Sequence, residues 1–361
     1  MALSKSSLNI IKEDIASINK SLQNDFSNLE GSSILITGAA GFVCSYLVDA
    51  IAYLNETKFK DFCKIIAVDN FITGFPHNLR HLKNKPYIKV INRDVSGPFK
   101  AEPVEYVVHG ASIASPAFYR KHPFETMNVN VNGTWKMLDF ARKHDVKSFV
   151  YMSSSEVYGD PLPGFIPTPE DYRGNVSCTG PRACYDESKR FGETLSINYY
   201  NTYKLPVKIT RTFNVYGPRL HLNDKRVIPD LLSNALANQN ITLYSDGKAT
   251  RSFCYIADAI PGYLKVLSSK FDGEVFNVGN DQEEVSMTNL AKLIIGLTNP
   301  KLRIVYKKSP EKEYLTDNPQ RRCPDLTKIR MKLKYRPVYS LKEGIERTIL
   351  WHRLQNSKQK I

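Results

Sequence analysis

Two short runs hold side chains able to move protons and a hydride: Ser153-Ser154-Ser155-Glu156-Val157-Tyr158-Gly159 and Tyr185-Asp186-Glu187-Ser188-Lys189. Together they supply hydroxyls, a carboxylate, a phenol and an amine. The segment CYDESKRFGETLSINYY is predicted to be helical, and a spacing of four puts Tyr185 and Lys189 on one face. A phenol with an ordinary pKa near ~10 is a poor base, but an ammonium beside it and the positive nicotinamide of an oxidised cofactor both favour the phenolate. Tyr185 is therefore the candidate general base and Lys189 its electrostatic partner. The same spacing recurs by chance on solvated helix faces, so its meaning depends on the elements that position it.

Those elements begin with SSILITG, which reads as a buried strand, and FVCSYLVDAIAYLNE, which reads as a helix. KIIAVD, YIKVIN, YVVHGA, SFVYMSS and PVKITRTFN are further short apolar runs, with a helix expected near Met127 to Lys143. Strands alternating with helices predict right-handed crossovers and a Rossmann-type, doubly wound parallel sheet. Past Leu205 the pattern becomes mixed, which predicts a smaller α/β C-terminal lobe. The expected organisation is an N-terminal amphipathic helix over 1–31, a dinucleotide-binding domain over 32–212 and a substrate-binding lobe over 213–361, interleaved with the sheet. In the first part, Leu8, Ile11, Ile15, Ile18, Leu22, Phe26 and Leu29 form one stripe. It suits either packing on its own domain or a dimer contact.

Thr37-Gly38-Ala39-Ala40-Gly41-Phe42-Val43-Cys44 joins the first strand to the first helix, where a glycine turn lets a pyrophosphate reach helix N-terminal amides. Cys44 stands where a third glycine would be. Asp69 closes the second strand, where a carboxylate accepts bonds from the adenosine ribose and repels a 2′-phosphate, favouring NAD. It lies beyond the usual roughly 20 residues from the glycines, and the polar stretch Asn55 to Asp61 accounts for a longer loop. Asp94 is a candidate for the adenine end or a plain turn residue. Phe42, Val43, Asn70 and Val95, together with Tyr185 and Lys189, complete the expected cofactor contacts.

A net charge of +14 over 361 residues is spread along the chain with no nucleic-acid module, and a polyanionic small substrate explains part of it. No apolar run approaches a membrane span, and charged residues interrupt the N-terminal apolar positions, against a signal peptide. Six cysteines without metal spacing suggest reduced thiols in a cytoplasmic protein and no metal site.

The segments VDNFITG, HGASIASPAFY, SSSEVYGDP, GPRACYDESKR, NVYGPRLHLNDKRVIP, ATRSFCYIADAI and DNPQRRCPD together resemble the extended short-chain dehydrogenase/reductases that act on nucleotide sugars, the NAD-dependent epimerase/dehydratase family. Within it they are most similar to the UDP-glucuronate decarboxylase (UDP-xylose synthase) branch. The resemblance implies catalytic positions for Ser154, Glu156, Tyr185, Lys189 and Arg251. It implies substrate contacts for Tyr119, Ser155, Arg182, Asn214, Arg219 and Arg226, and a homodimer. Asn128 is placed near the active-site backbone. Three positions depart from the family: Ser154 replaces a Thr, Ile113 a Pro and Phe118 an Asn.

The implied chemistry starts with C4 oxidation of a sugar bearing a carboxylate on C5. The β-keto acid then loses carbon dioxide because the C5 carbanion is delocalised into the C4 carbonyl. Glu156, through water, and Arg251 are the candidates for supplying the C5 proton. A nucleotide-sugar 4,6-dehydratase is the first alternative, although the Asp that many such enzymes carry is replaced here by Ser155. A C4 epimerase would leave Glu156 idle. A regulatory NAD-binding protein of the same fold would be expected to have lost Tyr185 or Lys189.

Overall fold

The structure is a computed structural model and describes residues 5–22, 26–310, 312–313 and 315–356. The first half alternates helices and strands: α1 (Lys5–Leu22), β1 (Ser33–Thr37), α2 (Phe42–Thr57), β2 (Lys64–Asp69), β3 (Ile88–Asn92), β4 (Tyr106–His109), α3 (Pro116–Lys121), α4 (Pro123–Asn128), α5 (Thr134–Lys143), β5 (Ser148–Ser154), α6 (Ala183–Tyr203) and β6 (Val207–Thr212). The rest comprises β7 (Val215–Tyr216), α7 (Val227–Leu236), β8 (Ile241–Leu243), β9 (Thr250–Ser252), β10 (Cys254–Tyr255), α8 (Ile256–Leu267), β11 (Val275–Val278), β12 (Glu284–Ser286), α9 (Met287–Thr298), β13 (Ile304–Tyr306), β14 (Arg321–Arg322), α10 (Thr327–Leu333) and α11 (Leu341–Asn356).

Seven strands form one parallel sheet in the order β11-β6-β5-β4-β1-β2-β3. Its central strands are short apolar runs with both faces covered; Ile34, Leu35 and Ile36 of β1 are all fully buried. The order reverses between β1 and β4, and the crevice beyond the strand ends at such a point is where ligands bind in open α/β sheets. All six strands expected from the sequence are present. The seventh, β11, arrives from beyond residue 270 and pairs with β6.

Three small sheets build the other side: β7 with β10, β8 with β13, and the trio β12-β9-β14. In that trio β14 runs parallel to β9, with Arg322 opposite Arg251. Two strands of two and three residues thus bring distant arginines to one edge.

The stripe of α1 is used inside the chain. Ile10, Ile11, Ile15, Ile18 and Leu22 are buried, and the helix packs on α2, α8 and α11. Asp14 goes in with them and takes bonds from Tyr255 Oη at 2.8 Å, Arg347 Nε at 2.9 Å and Tyr46 Oη at 3.3 Å. Burial pushes its carboxyl up to about 6 against the pull of Arg347. The dimer-contact reading of this stripe is thereby corrected, because its apolar side chains are already covered by the same chain.

Candidate active site

The turn after β1 is shaped by close backbone approach. Gly38 has φ +69°, and a Cβ there would lie 2.9 Å from the Ala111 backbone. Gly41 is the N-cap of α2 and has no side chain with which to accept the first-turn amides, which leaves them to an anion. Cys44 fills space that Gly110 leaves open, since a Cβ on Gly110 would collide with the thiol. The third glycine is therefore dispensable here because the facing strand end supplies one.

Asp69 accepts from Phe71 N at 2.7 Å and Ala40 N at 2.9 Å, which fixes the carboxylate at the end of β2. Burial raises its pKa and those two amides oppose the rise. Asp94 accepts from Ser96 Oγ at 2.6 Å, Ser96 N at 2.8 Å and Asn70 Nδ2 at 3.3 Å. Asp94, Asn70 and Ile72 line one open cleft with Asn92, Arg93, Gly97 and Pro98. Val95 is buried behind it, and Phe42 and Val43 are half-buried at the start of α2. Turn, carboxylate and cleft lie in chain order along the crevice and fit a dinucleotide.

Lys189 and Tyr185 share the inner face of α6. The Lys189 ammonium donates to Met152 O at 2.9 Å and stands 5.9 Å from the centre of the Tyr185 ring. Burial pulls Lys189 down to about 8. Burial likewise pushes the Tyr185 phenol up to about 12, opposed first by a hydrogen bond with Ser154. Tyr119, from α3, stacks on Tyr185 with ring centres 5.0 Å apart and planes within 9°. Ile113 packs in the same cluster, whereas Phe118 turns outward.

The lower end of α6 is held by an asparagine. Asn130 Nδ2 donates to Ser188 Oγ at 2.9 Å, and Ser112 Oγ donates to Asn130 Oδ1 at 2.8 Å. Asn130 lies in a π turn, Val129–Gly133, between α4 and α5, a common form of local insertion at functional sites. Asn128 is instead bonded to Ser96 and Asn132 at the surface. The expectation for Asn128 shifts by two residues.

Glu156 sits in a 3₁₀ turn, Ser155–Tyr158, that Ser154 caps by accepting from Glu156 N at 3.2 Å. Its carboxylate is clamped by Arg182 and by both terminal nitrogens of Arg322, one of them at 2.8 Å. Although burial works against the charge, the two guanidinium groups win and hold Glu156 far below the ordinary carboxylate range. Arg182 Nε also lies 3.5 Å from Asp186 Oδ2. Arg251 has another set of partners: Thr250 O at 2.7 Å, Asn318 Oδ1 at 3.2 Å, Gln320 O at 3.3 Å and Pro319 O. Burial and the like charge of Arg322 pull Arg251 down to about 9.

Thus Ser154, Ser155, Glu156, Tyr185, Lys189, Tyr119 and Arg182 gather at the ends of β5 and α6, with Arg251 across from Arg322. Arg226 is tied to Asp224, yet its charge is felt at Tyr185. Asn214 braces the wall by donating to Ser252 O at 2.9 Å. Arg219 does not join the group: its side chain is wholly buried on Asp49 at 2.7 Å and Ser45 at 3.2 Å, over the Tyr46 ring. This placement does not support its reading as a substrate contact, because its two terminal nitrogens are engaged in holding α2. Arg219→Ala should cost about 3 kcal/mol, the low end for breaking a buried pair, because His81 still faces Asp49. Thermal melting would show a midpoint lower by several degrees, with the substrate KM of the remaining folded enzyme unchanged.

Arg322, Asp186 and Asn130 were not singled out from the sequence. Arg322 lies inside DNPQRRCPD, but only its register against Arg251 brings it to Glu156.

Comparison with known proteins agrees with this geometry. Residues 34–279 match the family model described as the NAD dependent epimerase/dehydratase family. UDP-glucuronic acid decarboxylase 2 of Arabidopsis thaliana is 38% identical over 88% of this chain and 67% of its own length. UDP-glucuronic acid decarboxylase 1 of Xenopus tropicalis is 36% identical over 97% of this chain and 80% of its own. The dTDP-glucose 4,6-dehydratase of Streptomyces venezuelae, crystallised with NAD, superposes with a TM-score of 0.78 at 26% identity, covering 90% of this chain and 98% of that one. NAD is the cofactor of this group, and the residues of the crevice fit it. Sheet, glycine turn, Tyr185 and Lys189 on one face of α6, and the match over 34–279 make this chain a member of the NAD-dependent epimerase/dehydratase family.

Proposed function

We propose that the chain converts UDP-glucuronate to UDP-xylose by transient oxidation at C4 and loss of carbon dioxide. One observation carries this reading beyond the family. Two buried arginines, Arg182 and Arg322, clamp the ionised carboxylate of Glu156, a third, Arg251, lies opposite Arg322 with its guanidinium bonded to neutral oxygens among the described residues, and the Asp186 carboxyl beside Arg182 is pushed toward its acid form. A site with such a surplus of buried positive charge is completed by an anion on the sugar. A glucuronate carboxylate supplies one; the hydroxymethyl group of a dehydratase substrate does not. The two decarboxylase relatives support the same choice.

In this reading Gly38, Gly41 and the first turn of α2 hold the pyrophosphate, and Asp69 and the Asp94 cleft hold the adenosine. Bound NAD supplies reversible hydride transfer at C4 and a positive charge beside Tyr185. Tyr185 takes the C4 hydroxyl proton, assisted by Lys189, and returns it when C4 is reduced again. Once C4 is a ketone, Tyr185 and Ser154 donate to its oxygen and stabilise the enolate left by carbon dioxide. Tyr119, Ser155 and Arg182 orient the sugar, Arg226 and Asn214 shape the wall, and Arg251 receives the carboxylate. Glu156 stays ionised between two arginines, so its role is to hold them in place.

The test is to mix the protein with UDP-glucuronate and follow carbon dioxide and sugar product by NMR. We expect both carbon dioxide and UDP-xylose. No carbon dioxide, with a 4-keto-6-deoxy product from nucleotide hexoses, overturns the reading in favour of dehydration.

We also propose a cytoplasmic homodimer. No helix among the described residues is long and apolar enough to cross a membrane, and the six cysteines are unpaired. Trp135 on α5 and Phe191 on α6 leave large aromatic faces exposed on two helices that pack side by side, a surface that a second copy would cover. Sedimentation of the purified chain at twice the mass of one chain is the expected result.

A further inference from the structure

Counting protons through the proposed reaction exposes a gap. Tyr185 takes a proton at C4 and gives the same one back, so it supplies nothing net. Decarboxylation breaks the C5–carboxylate bond, leaves its electron pair on C5 as an enolate, and releases carbon dioxide. A new C5–H bond then forms with one proton that must come from elsewhere. Of the two candidates from the sequence, Glu156 is held ionised by Arg182 and Arg322 and has no proton to give, and Arg251 commits both terminal nitrogens to Thr250 O, Gln320 O, Asn318 Oδ1 and Pro319 O.

A second buried carboxyl lies in the same cluster and has no part in the mechanism above. Asp186 follows Tyr185 on α6, is 4% exposed, and shares Arg182 with Glu156 through Arg182 Nε at 3.5 Å. Its other oxygen, Oδ1, is buried without a hydrogen-bond partner among the described residues, and so is the Tyr119 hydroxyl from α3. Unpartnered buried polar atoms are costly, and two in one cluster fit a place that a bound water and substrate complete.

We infer that Asp186 is the proton reservoir for C5: its carboxylic acid passes a proton through water to the enolate carbon, becomes a carboxylate, and is reprotonated from solvent before the next turnover. The inference rests on the decarboxylase reading. Burial, and next the charge of Glu156, push Asp186 up to about 7, against Arg182 and Arg322. Glu156 from the 3₁₀ turn, Arg322 from β14, Tyr119 from α3, Arg182 at the N-cap of α6, and Cys184 and Tyr185 on α6 are the titratable and charged groups whose fields meet there. An acid with a raised pKa is loaded below that value and empties above it. Proton delivery to C5 therefore falls as pH rises through about 7.

The experiment compares wild type, Asp186→Asn and Asp186→Glu with UDP-glucuronate in heavy water across pH. C5 of xylose carries two hydrogens, and wild type is expected to place one deuteron at a single one of these positions, with C5 labelling slowing on the alkaline side. Asp186→Asn should form UDP-xylose about 10²-fold more slowly, the low end for a positioned proton donor. It should also lose the alkaline limb, release after carbon dioxide an enolate that solvent protonates to a 4-keto pentose while NAD stays reduced, and so label both C5 positions. Asp186→Glu should restore part of the rate and the limb. If Asp186→Asn keeps the stereospecific label and the wild-type pH limb, the inference fails while the decarboxylase reading stands. Should Asp186→Asn not fold, an alkaline limb absent from wild type and from Asp186→Glu overturns it equally. A wild type that releases no carbon dioxide sinks both.

Discussion

Tyr185→Phe is expected to lower turnover by about 10² to 10⁴, the usual worth of a positioned general base, while the protein folds and binds NAD as before. Only one oxygen is removed. The ring keeps its stack on Tyr119 at 5.0 Å. Lys189 keeps its place because its ammonium is anchored on Met152 O rather than on the phenol. What disappears is the one group that burial holds near 12 against the pull of Ser154, and whose phenolate, favoured in the proposed reading by Lys189 and bound NAD, takes the C4 proton. The loss should fall on kcat, with KM for the nucleotide sugar little changed, since the base acts in the transition state rather than in binding. Steady-state kinetics beside a thermal melt decides it. Near-normal turnover in a folded variant would remove Tyr185 from the chemistry.

The sequence made the sheet legible because each central strand is an apolar run closed by a turn signal, and a parallel sheet buries both faces of such a run. It also exposed the glycine turn and the Tyr185–Lys189 pair, whose geometry follows from local periodicity alone. Other features depend on contacts between distant segments. Val275–Val278 becomes the seventh strand only because β6 offers an edge. Arg322 reaches Glu156 across 166 positions through a two-residue strand, too short to leave a pattern. Arg219 sits in a family segment, yet its side chain turns to Asp49, and a motif does not record which way a side chain points. In NVNVN the π turn changes the helical phase, so Asn130 rather than Asn128 faces Ser188. The α1 stripe announced an apolar face without saying what would cover it.

Glu156→Gln should separate the steps on either side of C4 oxidation and is the change with the larger structural consequence. Two buried arginines converge on this carboxylate. A glutamine offers one acceptor oxygen and turns an NH₂ toward guanidinium donors, so at least one arginine loses its partner and its counter-charge. Removing one side of a buried pair costs about 3 to 5 kcal/mol, and the melting temperature should drop accordingly. The sign with pH follows from the depressed carboxyl. Its stabilisation is complete above the ordinary glutamate value of 4.5 and fades only as pH falls below that. The variant should therefore lose stability at neutral pH and approach wild type in acid. NAD binding should survive, because the proposed reading puts Glu156 at the sugar end of the site. C4 oxidation should still occur and be visible as absorbance of reduced NAD, but carbon dioxide should not follow, since Arg182 and Arg322 no longer hold the geometry around the substrate carboxylate. Loss of NAD binding would instead overturn the assignment of Glu156 to the sugar end of the site. Release of carbon dioxide distinguishes the two carboxyls: Asp186→Asn should still produce it and Glu156→Gln should not, because one acts after the C5 carbanion exists and the other before.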